Sequence, residues 1–365
     1  MGGVGFAHWC ESPGNPAAPS GGARVNVAVL TGGGDCPGLN AVIRAVVRRG
    51  QRYGFRFTGV RDGWRGLLED DLFALEPDHV RGILHLGGTI LGTSRVNPFA
   101  REEGPQRVLD QIAHHQIDAI VTIGGEGTLT IANRFVELGV PIVAAPKTID
   151  NDLAGTDYTF GFDTAVEIAT EAIDRLHTTA EAHRRVIVCE VMGRHAGHIA
   201  VHAGIAGGAH LILIPEVPAD LDVVCAHLRR RQAAGKRFSI VVVAEGTHIT
   251  QRPGDDQADD LDAYGHVRIG GVGAYLTREL EARTGIETRS TVLGHIQRGG
   301  TPTARDRVLG TRYGVFATDL IARGTFGVMA AIQGDREIAV PLAEATRARK
   351  TVDPALYAVA EVFFG

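Results

Sequence analysis

From residue 25 almost to its end, the chain alternates short apolar runs closed by glycine with longer stretches whose apolar positions recur at helical spacing. Runs at 24–30, 55–60, 117–125, 141–147, 184–191, 210–216, 238–246 and 290–296 predict strands. Stretches such as 38–50, 163–177, 221–235 and 270–285 predict helices between them, and Thr164 with Glu167 reads as a capping box opening the second. Strand and helix in alternation predict α/β layers with mostly parallel sheets. In such sheets ligands bind beyond the carboxyl ends of the strands, so the loops that follow the apolar runs are where function is sought.

At 365 residues the chain suits two domains with a cleft between them. The first 23 residues, rich in Gly, Pro, Ala and Ser, read as a flexible extension. The stretch 252–266, with five Asp and no apolar rhythm, reads as a solvated surface insertion; it lacks the Gly and final Glu of an EF-hand loop. A net charge of −5 with scattered arginines argues against nucleic acid as a partner, while small anions remain possible. Cys10, Cys36, Cys189 and Cys225 are far apart and form no CxxC, so a reducing, cytoplasmic location is expected. No apolar run reaches membrane-spanning length, the N-terminus lacks the regions of a signal peptide, and Phe6 breaks the myristoylation pattern. The 48 glycines change the picture most, because many directly follow apolar runs, where backbone approaches a ligand or takes positive φ.

Two of these glycine loops have the shape of phosphate cradles. "TGGGDCPGLN" places Gly34 between a strand and a helix, where backbone N–H groups face an anion; it is neither a Walker A sequence nor GxGxxG, and a plain tight turn serves as well. "IGGEGT" repeats the arrangement with Gly125, Glu126, Gly127 and Thr128, and Glu126 is suited to a hard cation. "PKTIDNDLAGTD" then gathers Asp150, Asp152 and Asp157 near one lysine, Lys147. Asp150 and Asp152 point the same way if the backbone is extended, which allows one to take a proton while the other serves a metal; Thr148 is placed to bond a moving phosphoryl group. Later loops, "EVMGRHAGH", "AEGTH" and "RSTVLGHIQRGGTP", supply Arg194, Glu245, Arg289, His295 and Arg298 for phosphates and sugar hydroxyls. His195, His198 and His202 imitate a metal site at helical spacing, but helix packing is the better reading, since no acidic or Cys ligand accompanies them.

Taken together, these segments and "GGTILGTSR" resemble the phosphofructokinase family over roughly residues 24–325. The resemblance implies two Rossmann-like three-layer α/β/α domains with the active site in the cleft between them. Residues 24–161 plus 298–348 would form the larger, donor-binding domain, and 162–297 plus 349–365 the smaller sugar-phosphate domain, with the insertion near 251–268. It implies transfer of the γ-phosphoryl of ATP, with Mg²⁺, to the 1-hydroxyl of fructose 6-phosphate in glycolysis. Asp150 is then the general base, assisted by Thr148 and Asp152, while Gly34, Arg95 and Arg194 contact the transferred group. Gly125, Gly127, Thr128 and Lys147 complete the donor site, and Glu126 holds the metal. Arg185, Met192, Gly193, Arg194, Glu245, Arg289, His295 and Arg298 map to the sugar phosphate. Arg185 and Arg289 would reach a neighbouring active site, which implies a homo-oligomer, a tetramer or dimer. Arg44, Arg48 and Lys236 match effector positions of allosteric members, but Ala234 stands where a lysine is expected.

Two departures bear on the donor. Glu126 replaces the Asp of many members. Lys147 stands where ATP-dependent bacterial members have Gly and pyrophosphate-dependent relatives have Lys. Gly127 stands where those relatives carry an Asp that obstructs the α-phosphate of ATP. A blocking side chain acts by exclusion, whereas a flexible lysine tolerates either donor, so ATP is expected. The rival readings are a reversible pyrophosphate-dependent enzyme, a silent sugar-phosphate-binding regulatory subunit, and a lipid- or NAD-kinase-like enzyme. Intact Asp150, Asp152 and Glu126 argue against the silent subunit, and "LGHIQRGG" against the last.

Overall fold

The computed structural model describes residues 24–252 and 270–364; the readings of the first 23 residues and of the acidic insertion lie outside the described residues. Among the described residues twelve strands form two sheets. They are β1 (Asn26–Gly32), β2 (Arg56–Val60), β3 (Leu72–Ala74), β4 (Ala119–Gly124), β5 (Ile142–Thr148), β6 (Phe160–Gly161), β7 (Val186–Val191), β8 (Leu211–Leu213), β9 (Ser239–Ala244), β10 (Thr288–Val292), β11 (Val328–Gln333) and β12 (Arg336–Pro341).

The larger sheet runs β12-β11-β5-β4-β1-β2-β3, with β6 paired to β5; the smaller, all-parallel sheet runs β10-β7-β9-β8. In the larger sheet β1, β2, β4, β5 and β11 are parallel, and β3 and β12 close its edges antiparallel. β1, β4 and β5 are buried along their whole length, as strands covered by helices on both faces must be. Period two along β1 sends Val27 and Val29 into one core, with Val42, Ile43 and Tyr313, and Ala28 and Leu30 into another, with Trp64 and Phe135. A mixed α/β fold of two Rossmann-like units is therefore present.

Each sheet has a point where the chain turns back on itself. From β1 it winds to β2 on one side, and from β4 to β5 on the other, so the loops after β1 and β4 flank a crevice. In the smaller sheet the loops after β7 and β9 occupy the equivalent place. The backbone passes between the units more than once. After β6 it enters the helix Phe162–His183, packed on β7 and β9; the helix Ala304–Ala322 returns to β5 and β11; the helix Pro354–Glu361 goes back to the helix His198–Ala206.

All eight predicted strands exist, most of them trimmed or displaced by a residue or two at their ends. The hairpin β11–β12 went unread, although Gly334-Asp335 is a two-residue turn of the kind hairpins use, with Gly334 at φ 56°. Two local expectations are corrected. The capping box fails: the helix begins at Phe162 with Gly161 as its N-cap, and the Thr164 hydroxyl donates instead to Asp306 Oδ2 (2.6 Å). Nor is the chain extended through Asp150 and Asp152, because Asn151 between them adopts φ 53°.

Candidate active site

The loop after β1, the loop after β4, the end of β5 and the loop after β7 converge on one pocket, of about 640 Å³ of empty space. Gly33 and Gly34 form its floor. The Gly33 N–H donates to Ser94 O (3.0 Å) and Thr93 Oγ1 to Gly33 O (2.7 Å), which binds the segment carrying Arg95 to the glycine loop. A Cβ on Gly34 would lie 2.7 Å from Arg298 Nη1, so the missing side chain lets that guanidinium, from the turn after β10, approach and donate to Asp35 O (3.3 Å). Gly125, Glu126, Gly127 and Thr128 form the next wall, at the N-terminus of the helix Glu126–Glu137, where backbone N–H groups and the helix dipole favour an anion.

β5 delivers Lys147 and Thr148, both buried, and the turn beyond it delivers Asp150 and Asp152, also buried. Lys147 Nζ donates to Gly34 O across the cradle. Burial, with Arg298 adding to it, pushes the Lys147 ammonium down to about 8. The Asp150 N–H donates to Thr148 Oγ1 (3.0 Å), which occupies one lone pair of the hydroxyl and leaves its proton available. Asp150 Oδ1 is buried without a hydrogen-bond partner, the mark of a group kept for a ligand. Burial, then Asp150, then Glu126 raise the Asp152 carboxyl to about 7. The left-handed turn at Asn151 is held from below: its Oδ1 accepts from Thr159 N (3.0 Å) and from Lys350 Nζ (3.0 Å).

The opposite wall comes from the smaller sheet. Arg194, at φ 51° in the turn after β7, lines the pocket, and its N–H donates to Glu245 Oε1 (3.1 Å) just after β9. A Cβ on Gly246 would fall 1.7 Å from Arg194 O, which explains the Glu-Gly pair: only glycine lets the two loops touch. Burial first, and Asp150 second, raise the Glu245 carboxyl to about 7. Glu245 does not line the pocket itself; it reaches the pocket wall through the Arg194 N–H.

The pocket thus gathers Gly34, Arg95, Gly125, Glu126, Gly127, Thr128, Lys147, Thr148, Asp150, Asp152, Arg194 and Arg298. Met192 and Gly193 do not line it, and the Met192 N–H donates to Gln297 Oε1 (3.3 Å). His295 is exposed on the turn Gly294–Arg298 and lines no wall. Arg185 and Arg289 lie elsewhere, sharing Glu287 at 3.0 and 2.7 Å. Asp157 also points away, its Oδ2 accepting from Gly334 N (2.6 Å). His198 and His202 pack around Phe162 with ring centroids 6.3 and 5.1 Å from it, as helix packing predicts, whereas His195 lines the pocket. Sequence reading missed Gly33, His195 and Arg349 as pocket residues; Arg349 carries no motif and reaches the pocket only through the fold.

Among the described residues no group of three or more His, Cys, Asp and Glu side chains is arranged to hold a metal ion alone. Glu126 fits a cation that keeps most of its shell from phosphate and water, the usual habit of magnesium. No helix among the described residues is long and apolar enough to cross a membrane.

Residues 26–321 match the phosphofructokinase family. The chain is 60% identical over 345 residues to a Streptomyces coelicolor protein named pyrophosphate–fructose 6-phosphate 1-phosphotransferase, covering 93% of this chain and 100% of that one. It is 53% identical over 338 residues to ATP-dependent 6-phosphofructokinase 3 of the same organism, covering 92% and 99%. Among solved structures it resembles Pichia pastoris phosphofructokinase, with a TM-score of 0.79 and 32% identity over 95% of this chain; it spans 37% of that longer chain. A family match of that extent, on a pocket that unites two glycine cradles with a buried aspartate, makes this chain a member of the phosphofructokinase family.

Proposed function

We propose that the chain is an ATP-dependent 6-phosphofructokinase, transferring a phosphoryl group to the 1-hydroxyl of fructose 6-phosphate. The observation that carries the reading is Asp150: a buried carboxylate with an unpartnered oxygen, lining the same pocket as the two glycine loops. Asp150 takes the hydroxyl proton, Thr148 donates its free hydroxyl hydrogen, and Arg95, Arg194 and Lys147 offset the charge on the moving group. Glu126 would hold Mg²⁺, which when bound neutralises the donor phosphates. Glu245 and Met192 border the sugar side. Arg185 and Arg289, paired to one glutamate away from the pocket, would serve a partner's site in a homo-oligomer.

The donor rests on Gly127, which lines the mouth of the cradle with no side chain to obstruct an α-phosphate. Pyrophosphate is the second reading, favoured by Lys147 within the cradle and by the name of the 60% identical Streptomyces relative. Initial rates of fructose 1,6-bisphosphate formation, with ATP and pyrophosphate offered separately beside Mg²⁺, decide between them. Preference for ATP, abolished in Gly127→Asp with the fructose 6-phosphate KM unchanged, supports the first reading; preference for pyrophosphate in the unaltered enzyme overturns it.

A further inference from the structure

Arg349 lies 223 residues from Glu126 in sequence, yet it lines the same pocket. Its backbone forms an antiparallel bridge with Leu153, and the next residue's N–H donates to Asp152 O (2.8 Å), so the main chain is pinned along the turn that carries Asp150 and Asp152. From that anchor the side chain reaches the other cradle. Nη2 donates to Glu126 Oε2 at 3.3 Å, and Nε lies 4.0 Å from Asp152 Oδ2, too long for a hydrogen bond. A guanidinium has five N–H donors in a planar fork that matches a phosphate two at a time. Here a single lengthened bond to Glu126 engages it, and a third of its side-chain surface is exposed.

We propose that Arg349 is a donor-binding residue: it pairs with Glu126 and exchanges that carboxylate for the incoming phosphate oxygens. Glu126 stands at the N-terminus of the helix beside Gly127, and Arg349 lines the same pocket, so an anion seated in that cradle shares the pocket with its guanidinium. The exchange keeps charge balanced. The phosphate oxygens take the guanidinium fork with or without a cation, and the carboxylate it leaves is then free to turn toward one. Lys147 and Arg298 are tied to Gly34 O and Asp35 O on the floor, whereas Arg349 approaches from the side of the catalytic turn. The inference rests on the proposed phosphoryl-transfer reading but holds for either donor.

Equilibrium binding without turnover tests it. ATP, pyrophosphate and fructose 6-phosphate are each titrated separately into the full-length wild type, Arg349→Met and Arg349→Lys, with and without Mg²⁺. The expected result is a roughly tenfold to hundredfold weaker donor in Arg349→Met, the range of a hydrogen bond to a charged group, both with and without the metal. Arg349→Lys should recover part of that loss, since a point charge replaces the fork, and fructose 6-phosphate should change less than twofold. A donor affinity unchanged in folded Arg349→Met, or restored only when Mg²⁺ is withheld, overturns the proposal and leaves Arg349 a counter-ion to Glu126. If the wild type binds neither ATP nor pyrophosphate, the phosphoryl-transfer reading itself fails, a result distinct from a change in the ratio of variant to wild type.

Discussion

At the scale of single residues, the site is built on one turn whose geometry is unusual for its composition. Asn151 takes the left-handed conformation that asparagine tolerates better than other non-glycine residues, and so directs Asp150 and Asp152 into the same pocket without an extended strand. The Thr148 hydroxyl, fixed by the Asp150 N–H, shares that turn. Replacing Asp150 by Asn keeps size and hydrogen-bonding shape while removing the proposed base. Turnover should fall by about 10² to 10⁴, with the Kd of fructose 6-phosphate nearly unchanged; single-turnover rates within a few-fold of wild type would remove Asp150 from the role. Residues of this kind were readable because they cluster within motifs, where adjacent side-chain types announce their chemistry. Arg349 and Asp306 were not, for their partners, Glu126 and Thr164, lie far away in sequence and only folding brings them together.

At the scale of elements, the segment 349–352 acts as a strap across the back of the catalytic turn. Lys350 Nζ donates to Asn151 Oδ1 (3.0 Å), Thr156 O (3.0 Å) and Asp157 O (2.8 Å), while Val352 N donates to Glu216 Oε1 (3.0 Å) near the smaller sheet. Burial lowers the Lys350 ammonium to about 8, yet three oxygens remain to hold it. Lys350→Met removes that hold and strands buried acceptors. Urea unfolding should show a loss on the order of 1–3 kcal/mol, and kcat should fall further than the KM of either substrate as the turn loosens. Unchanged kcat and KM in the folded variant, with only the urea midpoint lowered, would mean that the strap serves stability alone. Strand positions were readable from their apolar runs because parallel strands are buried on both faces. The strap was not, since it is held by polar contacts with no period, and the failed capping box shows the same limit: Thr164 meets the local pattern, but a distant carboxylate claims it.

At the scale of the whole molecule, buried titrating groups make stability depend on pH with two opposing signs. Burial lowers His198 and His210 to about 4, and His210 Nδ1 accepts from Ile240 N (2.9 Å), a bond the protonated ring cannot make. An ordinary histidine binds its proton near 6.5, so the unfolded chain is protonated first; each contributes stability that is whole above 6.5 and declines toward 4, by up to about 1.4 kcal/mol per pH unit. Asp152 and Glu245, raised to about 7, act oppositely and gain stability as pH falls below that value. The contribution of His210 is therefore read as a difference. His210→Gln, whose amide oxygen still accepts, should gain on the wild type in urea midpoint between pH 6.5 and 4; parallel curves would show that His210 titrates normally. The alternation of strand and helix made the two α/β units readable, but the return of the chain from one to the other was not, because apolar runs do not state which sheet they join. That repeated crossing, after β6, before the helix Ala304–Ala322 and again before the helix Pro354–Glu361, has a practical effect on dissection. A gene truncated after Gly161 would encode neither β11 nor β12, and a protease that nicked any one crossing would leave the halves joined by the other two. Limited digestion at a single connection should yield a clipped enzyme that still migrates as one particle under native conditions.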